Sequence, residues 1–111
     1  MRSVLAKLIY INPEFLYVNH MYKIILQVIQ VPEQCAAGCK VGDKIVIEDP
    51  KIVLKESTNV CLYALSALIP YLIPLTRELP KDDWMNQITE LNCSDPHNSV
   101  KFKVTRIETT H

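Results

Sequence analysis

The two glycines of this chain lie close together, in residues 35–49. Glycine adopts positive φ angles without steric cost, so we expect the sharpest turn of the fold at Gly38 and Gly42. The β-branched run Ile-Val-Ile follows at residues 45–47, and such residues favour strands. This stretch therefore predicts a sharp turn that leads directly into a strand at residues 44–48.

Three other segments have the pattern of strands. Residues 22–31, YKIILQVIQV, give the strongest strand signal, and residues 88–93 give a shorter one. Residues 100–107 begin with alternating apolar and polar side chains, as in a strand with one buried face. We expect residues 22–31 to pair with residues 44–48 in antiparallel fashion. Residues 51–54 either extend the sheet or cross it.

One long apolar segment, residues 60–75, predicts a helix. Residues 57–59, Ser-Thr-Asn, precede it and are typical N-cap residues. Pro70 and Pro74 each lack a backbone donor, so the helix is expected to kink at Pro70 and to end near residue 75. The segment is shorter than the roughly 20 residues that cross a bilayer, which favours a core helix over a membrane span. Helical spacing predicts a buried face of Cys61, Ala64, Leu65, Leu68 and Leu72.

These elements predict an α+β domain. Its small antiparallel sheet, in the order ββαββ along the chain, packs against one proline-kinked helix. A length of 111 residues allows a single hydrophobic core. Met21 has the pattern of an initiator directly before a strand. We therefore expect residues 21–108 to form the domain and residues 1–20 to be an N-terminal extension, helical over residues 3–10; an ordinary N-terminal helix packed on the sheet is the alternative.

Charge and composition disfavour several classes of protein. Twelve basic and twelve acidic residues balance, without the basic excess or Lys/Arg stripe that marks nucleic-acid binding. Two glycines leave no glycine-rich phosphate loop. The apolar run at residues 8–11 is too short for a secretory signal. We therefore predict a small soluble, cytoplasmic protein without a membrane or nucleic-acid partner, whose partner is another protein or a second copy of the chain.

The cysteine-containing segments are similar to a known pattern. The sequences CAAGCKVGD at residues 35–43, CLYA at 61–64 and CSDP at 93–96 resemble a small, uncharacterised repeat-type domain family of anaerobic bacteria and archaea. The resemblance covers residues 21–107. It implies that the positions of Cys35, Cys61 and Cys93 are usually cysteine and that the position of Cys39 is often histidine or another residue. The family has no assigned activity, so the resemblance implies a fold and a cysteine site rather than a function.

Four cysteines and one histidine are candidate metal ligands. Cys35, Cys39, Cys61 and Cys93 form a thiolate set of the kind that holds zinc or iron. His97 is the alternative fourth ligand in place of Cys39. The spacing Cys-x3-Cys followed by two single cysteines differs from the paired Cys-x2-Cys of zinc knuckles. Buried structural cysteines are therefore the alternative interpretation.

Two further functions stay open. Cys35 and Cys39 are candidates for thiol redox chemistry, with Lys40 favouring a thiolate. The chain is otherwise interpreted as a non-catalytic protein-interaction or redox-accessory module with structural cysteines. His97 is the one histidine within the predicted domain, which disfavours a nucleophile with a histidine base. A non-catalytic role is therefore favoured over an enzyme.

Three other side chains have expected structural roles. Asp43 and Asp95 lie among turn residues, where aspartate bonds to nearby backbone more often than it acts as an acid. Trp84 lies beside Met85 and is expected to cover the core, with anchoring of a partner as the alternative.

Overall fold

The computed structural model describes residues 21–35 and 37–109. The predicted extension, residues 1–20, and its helix over residues 3–10 lie outside the described residues. So do His20 and His111.

Five strands within the described residues form one antiparallel sheet. The strand order across the sheet is β3-β2-β1-β5-β4. The central strand β1 pairs with β2 on one side and with β5 on the other. The predicted α+β class, with an antiparallel sheet and one α-helix, is thus confirmed. The strands are β1 (Met21–Gln30), β2 (Lys44–Glu48), β3 (Lys51–Ile52), β4 (Glu90–Asn92) and β5 (Lys101–Thr109).

The predicted order ββαββ is wrong, because three strands precede the helix. The additional strand, β3, has two residues and pairs with the end of β2. A two-residue strand is too short to produce an alternating pattern, so the sequence did not decide whether residues 51–54 extend the sheet or cross it. The structure divides this segment between β3 and a 3₁₀ helix at Leu54–Glu56, and the order along the described chain is βββαββ.

The helix α1 (Leu62–Leu75) begins later than predicted and ends where predicted. Cys61 occupies its N-cap position, without a side-chain capping bond. The predicted cap residues serve the sheet instead. Ser57 Oγ accepts from the backbone N–H of Val46 at 2.9 Å, and Thr58 Oγ1 accepts from that of Lys44 at 2.9 Å. Their hydroxyls satisfy backbone donors of β2 that no strand pairs with, and the helix starts after them.

Both prolines lie inside α1, which continues through them. Pro70 and Pro74 face outward from the core side of the helix, as their exposed and half-buried side chains indicate. The helix buries Ala64, Leu68, Leu72 and Leu75. Leu65 and Cys61, predicted to be buried, are half-buried at the edge of this face.

The core lies between α1 and one face of the sheet. In β1 the alternate residues Ile24, Leu26 and Val28 are buried, as expected for a strand with one covered face. The strands β2 and β5 add two residues each to the same core. The buried sheet residues in this core are Ile24, Leu26, Val28, Ile45, Ile47, Phe102 and Val104. Within the described residues, no helix has the length and apolar character needed to cross a bilayer.

Candidate functional site

The connection between β1 and β2 is the turn predicted from the glycines. Both glycines have positive φ angles, +68° at Gly38 and +98° at Gly42. The backbone N–H of Gly38 donates to the carbonyl of Cys35 at 3.0 Å, and that of Gly42 donates to the carbonyl of Val28 at 2.9 Å. Asp43 accepts from the backbone N–H of Lys40 at 3.0 Å. The turn prediction and the structural role of Asp43 are therefore confirmed.

Cys35 and Cys39 are neighbours across this turn. The backbone N–H groups of Cys39, Ala37 and Gly38 and the side chain of Cys39 favour the thiolate form of Cys35, the backbone of Cys39 most. They lower the pKa of the Cys35 thiol against the opposing effect of its partial burial. Partial burial, together with the adjacent Cys35, raises the pKa of Cys39 to about 11. Cys35 is therefore the thiol of this pair that ionises first.

Cys61 lies close to Cys39 because the start of α1 returns to the start of β2. The two cysteines line one small cleft, together with Thr58 and Phe102. The proximity of Cys61 is one of the smaller contributions that raise the pKa of Cys39. Three of the four cysteines thus meet near the connection between β1 and β2.

Cys93 is hydrogen-bonded within its own loop, between β4 and β5. Its sulfur accepts from the backbone N–H of Val100 at 3.1 Å. Asp95 Oδ1 in the same loop accepts from the backbone N–H groups of His97 and Asn98, both at 2.9 Å. These bonds lower the pKa of Asp95, that from Asn98 most, and they confirm its predicted role in a turn. The His97 side chain is exposed.

The sheet topology brings all four cysteines to one end of the sheet. The end of β1 lies opposite the start of β5, and the end of β4 lies opposite the same residue of β5. No disulfide joins them. Across residues 21–35 and 37–109, no three or more His, Cys, Asp or Glu side chains form a group arranged to hold a metal ion. The zinc or iron site at Cys35, Cys39, Cys61 and Cys93, with His97 as alternative ligand, stays a prediction.

A second candidate site is an apolar surface that the sequence interpretation missed. Beside α1 lies a groove of about 260 Å³, open to solvent between the helix and the β2–β3 hairpin. Its walls are mainly Ile47, Ile52, Leu65, Ile69, Leu72 and Ile73. The ion pair between Arg77 Nη2 and Asp49 Oδ2, at 3.0 Å, lies at this groove, because Asp49 is one of its lining residues.

The exposed face of α1 is itself apolar. Leu62, Tyr63, Ile69 and Ile73 are between 48% and 74% exposed. The hydroxyl of Ser66, the one polar side chain of the helix on this face, donates to the carbonyl of Tyr63 at 2.9 Å. The signal was present in the sequence, since residues 57–76 contain no charged residue and a helix that is apolar all round needs cover on more than one side. We call this face and the adjoining groove the α1 surface.

Trp84 does not cover the core, so that prediction is wrong. Its side chain is 64% exposed at the start of a 3₁₀ helix, Trp84–Gln87. Its neighbour Met85 packs against the core instead. Asp83 Oδ1 accepts from the backbone N–H of Met85 at 2.8 Å, which orients the turn so that Met85 points inward and Trp84 outward.

The chain matches no model of a known protein family, no curated protein and no solved structure. The resemblance to a repeat-type family stays a prediction, and the two sites are interpreted from their own geometry.

Proposed function

We propose that this domain is a non-catalytic protein-interaction module that binds through the α1 surface. The observation that carries this proposal is the exposure of four large apolar side chains on one uncharged helix. Single exposed apolar residues are common, but a contiguous apolar surface usually marks a contact with another molecule. An aromatic side chain, Tyr63, within an otherwise aliphatic surface is typical of the centre of a protein interface.

The partner proposed for this surface is a second copy of the chain. A two-fold symmetric dimer brings the same patch of each subunit together, so the patch must be complementary to itself. The α1 surface meets this condition in charge on its helix face, because two helices without charged residues approach each other without like-charge repulsion. It also provides both a ridge of exposed side chains and a groove, and Ile69 and Ile73 belong to both.

Sedimentation equilibrium of the full chain over a range of concentrations tests the proposal. We expect the wild-type protein to form dimers with a dissociation constant of about 1–10 μM, as a moderate interface would give. Ile69→Glu places a charge at the middle of the surface in both copies, where it would be buried without a partner. We expect this change to weaken dimerisation at least tenfold, about 1.4 kcal/mol or more.

Ile107→Glu is the matched control, since Ile107 is also an exposed isoleucine but lies on β5 opposite Lys23. It should leave the dimerisation constant unchanged. A wild-type chain that stays monomeric at about 100 μM, a hundredfold above 1 μM, would contradict the proposal. Equal weakening by both variants would show that the dimer uses another face.

A further inference from the structure

The turn that carries Cys35 and Cys39 has the geometry of a dithiol site. The two residues lie on either side of Gly38, whose φ of +68° reverses the chain between them. The bond from the N–H of Gly38 to the carbonyl of Cys35, 3.0 Å long, closes this reversal. The two side chains are close enough to affect each other's ionisation, and both are half-buried, so reagents in solution reach them.

The surroundings of the two sulfurs differ in a way that assigns a role to each. The turn places the backbone N–H groups of Cys39, Ala37 and Gly38 close enough to the sulfur of Cys35 to favour its anionic form, as successive N–H groups in a turn do. Partial burial disfavours the charged form of Cys39, and the nearby carboxylate of Asp43 opposes a further negative charge there. Cys35 is therefore the attacking thiolate and Cys39 the thiol that resolves the adduct.

We propose that Cys35 and Cys39 form a reversible dithiol–disulfide site that reacts with small-molecule disulfides of the glutathione type. This site is independent of the proposed dimerisation, since it belongs to the connection between β1 and β2 and none of its residues lines the α1 surface. It is a redox modification site of the domain and does not require a metal.

The reaction proceeds by two thiol–disulfide exchanges. The Cys35 thiolate attacks one sulfur of the small-molecule disulfide, which breaks the S–S bond, forms a mixed disulfide at Cys35 and releases one small-molecule thiolate. Cys39 then loses its proton to solvent and attacks the Cys35 sulfur, which forms the Cys35–Cys39 bond and releases the second thiolate. The two protein thiols lose two electrons and two protons, and one disulfide becomes two thiols.

The surroundings of the other two cysteines suit them less to thiol–disulfide exchange. The lone pairs of Cys93 accept from the N–H of Val100 within a closed loop, and that loop is held by the bonds to Asp95. Cys61 is at the helix N-cap and lines a cleft with Cys39, so it is the competitor for the resolving role. The experiment must therefore distinguish Cys35–Cys39 from Cys39–Cys61 and Cys35–Cys61 linkages.

The test treats the reduced full chain with glutathione disulfide, quenches it with acid and a thiol-blocking reagent, and maps the linked peptides by mass spectrometry. We expect one intramolecular disulfide, Cys35–Cys39, that excess reduced glutathione reverses. Cys39→Ser should accumulate glutathione on Cys35, because the resolving thiol is missing. Cys35→Ser should form neither the disulfide nor a rapid adduct. Each variant is first compared with the wild type by circular dichroism and thermal unfolding.

Cys93→Ser is the matched control and should leave both the linkage and its rate unchanged. Cys61→Ser should also form Cys35–Cys39. Alkylation of Cys35 in the folded chain is expected to be faster at neutral pH than in urea, because a lowered thiol pKa gives more thiolate and the accompanying loss of nucleophilicity cancels only part of that gain. A first adduct on Cys61 or Cys93, a linkage other than Cys35–Cys39, or no adduct on Cys35 in Cys39→Ser would overturn the proposal.

Discussion

Arg106 connects the C-terminus of the helix to the sheet through one side chain. Its Nε donates to the carbonyl of Leu75 at 2.9 Å, and its Nη2 donates to the carbonyl of Arg77 at 2.7 Å. The guanidinium also lies 4.0 Å from the centre of the Tyr22 ring. The last carbonyls of a helix lack partners within the helix, so a planar cation with several donors satisfies them where a single ammonium group cannot.

Arg106→Lys is expected to lower the free energy of unfolding by about 1–2 kcal/mol. The change keeps the positive charge but removes one of two charge-dipole hydrogen bonds and the planar contact with Tyr22. Urea unfolding followed by circular dichroism measures the loss. Arg77→Lys is the control, because Arg77 is exposed and its side chain makes one ion pair, to Asp49; an equal effect of the two changes would contradict the assigned role.

Asp95 makes the stability of the loop between β4 and β5 dependent on pH. The backbone bonds that lower its pKa in the folded state favour the carboxylate over the neutral acid. Because the folded pKa lies below the unfolded one, this stabilisation is present above the ordinary value of 3.8 and is lost as the pH falls through the folded pKa.

Asp95→Asn should therefore narrow the difference in stability between neutral and acidic solution. Asparagine retains the accepting oxygen of the turn but does not titrate. Chemical unfolding at pH 7 and at several values below pH 3.8 measures this difference in wild type and variant. Asp82→Asn, on an exposed residue, is the control. A variant whose stability falls with acid as steeply as that of the wild type would disprove this linkage.

At the scale of elements, α1 has two faces with opposite roles. Its inner face contributes Leu68, which is fully buried, and its outer face exposes Leu62. The prolines within the helix are tolerated because the burial of the inner face offsets the backbone bonds that they remove. The stability of α1 thus depends on the sheet beneath it rather than on its own sequence preference.

Leu68→Ala should cost about 2–5 kcal/mol of unfolding free energy, as expected for a leucine removed from a closely packed core. Leu62→Ala should cost less than about 0.5 kcal/mol, since an exposed side chain loses little contact. Thermal and urea unfolding at a concentration below the dissociation constant of the proposed dimer separate this effect from association. Similar losses for both variants would show that the outer face is also covered within one chain.

At the scale of the whole molecule, strand pairing decides where reactive groups meet. The cysteines are separated by up to 58 residues along the chain, between positions 35 and 93, yet all lie at one end of the sheet because of how β1, β4 and β5 are ordered. This end carries the thiols, and the α1 surface carries the exposed apolar side chains. One small domain thus presents two chemically distinct sites.

Much of the fold could be predicted from local patterns. The strand at residues 44–48 and the end of the helix at residue 75 were predicted at their observed positions, because β-branched runs and proline act on the residues beside them. The strand β3 could not be predicted, since its two residues form a strand only through pairing with β2. The positions of Ser57 and Thr58 likewise depend on donors of β2 that are distant in sequence.

The candidate sites, too, could be predicted from the sequence only where local geometry decides them. The sequence identified the cysteines and placed Cys35 and Cys39 across a glycine turn, since neighbours four residues apart need only local geometry. The sequence could not show that Cys93 accepts a hydrogen bond from Val100 or that Cys61 lines a cleft with Cys39. The absence of charge along residues 57–76 was visible, but which apolar side chains stay exposed depends on the width of the sheet beneath them.

By itself, the sequence determined the α+β class, the glycine turn, and the type and approximate position of the main elements. These follow from the conformational preferences of single residues and from the periodicity of apolar side chains. Only the tertiary structure decided the order of the strands, the partners of each cysteine and the apolar face that α1 leaves uncovered. These depend on contacts between residues far apart in the chain, where many pairings satisfy the same local pattern and packing selects one of them.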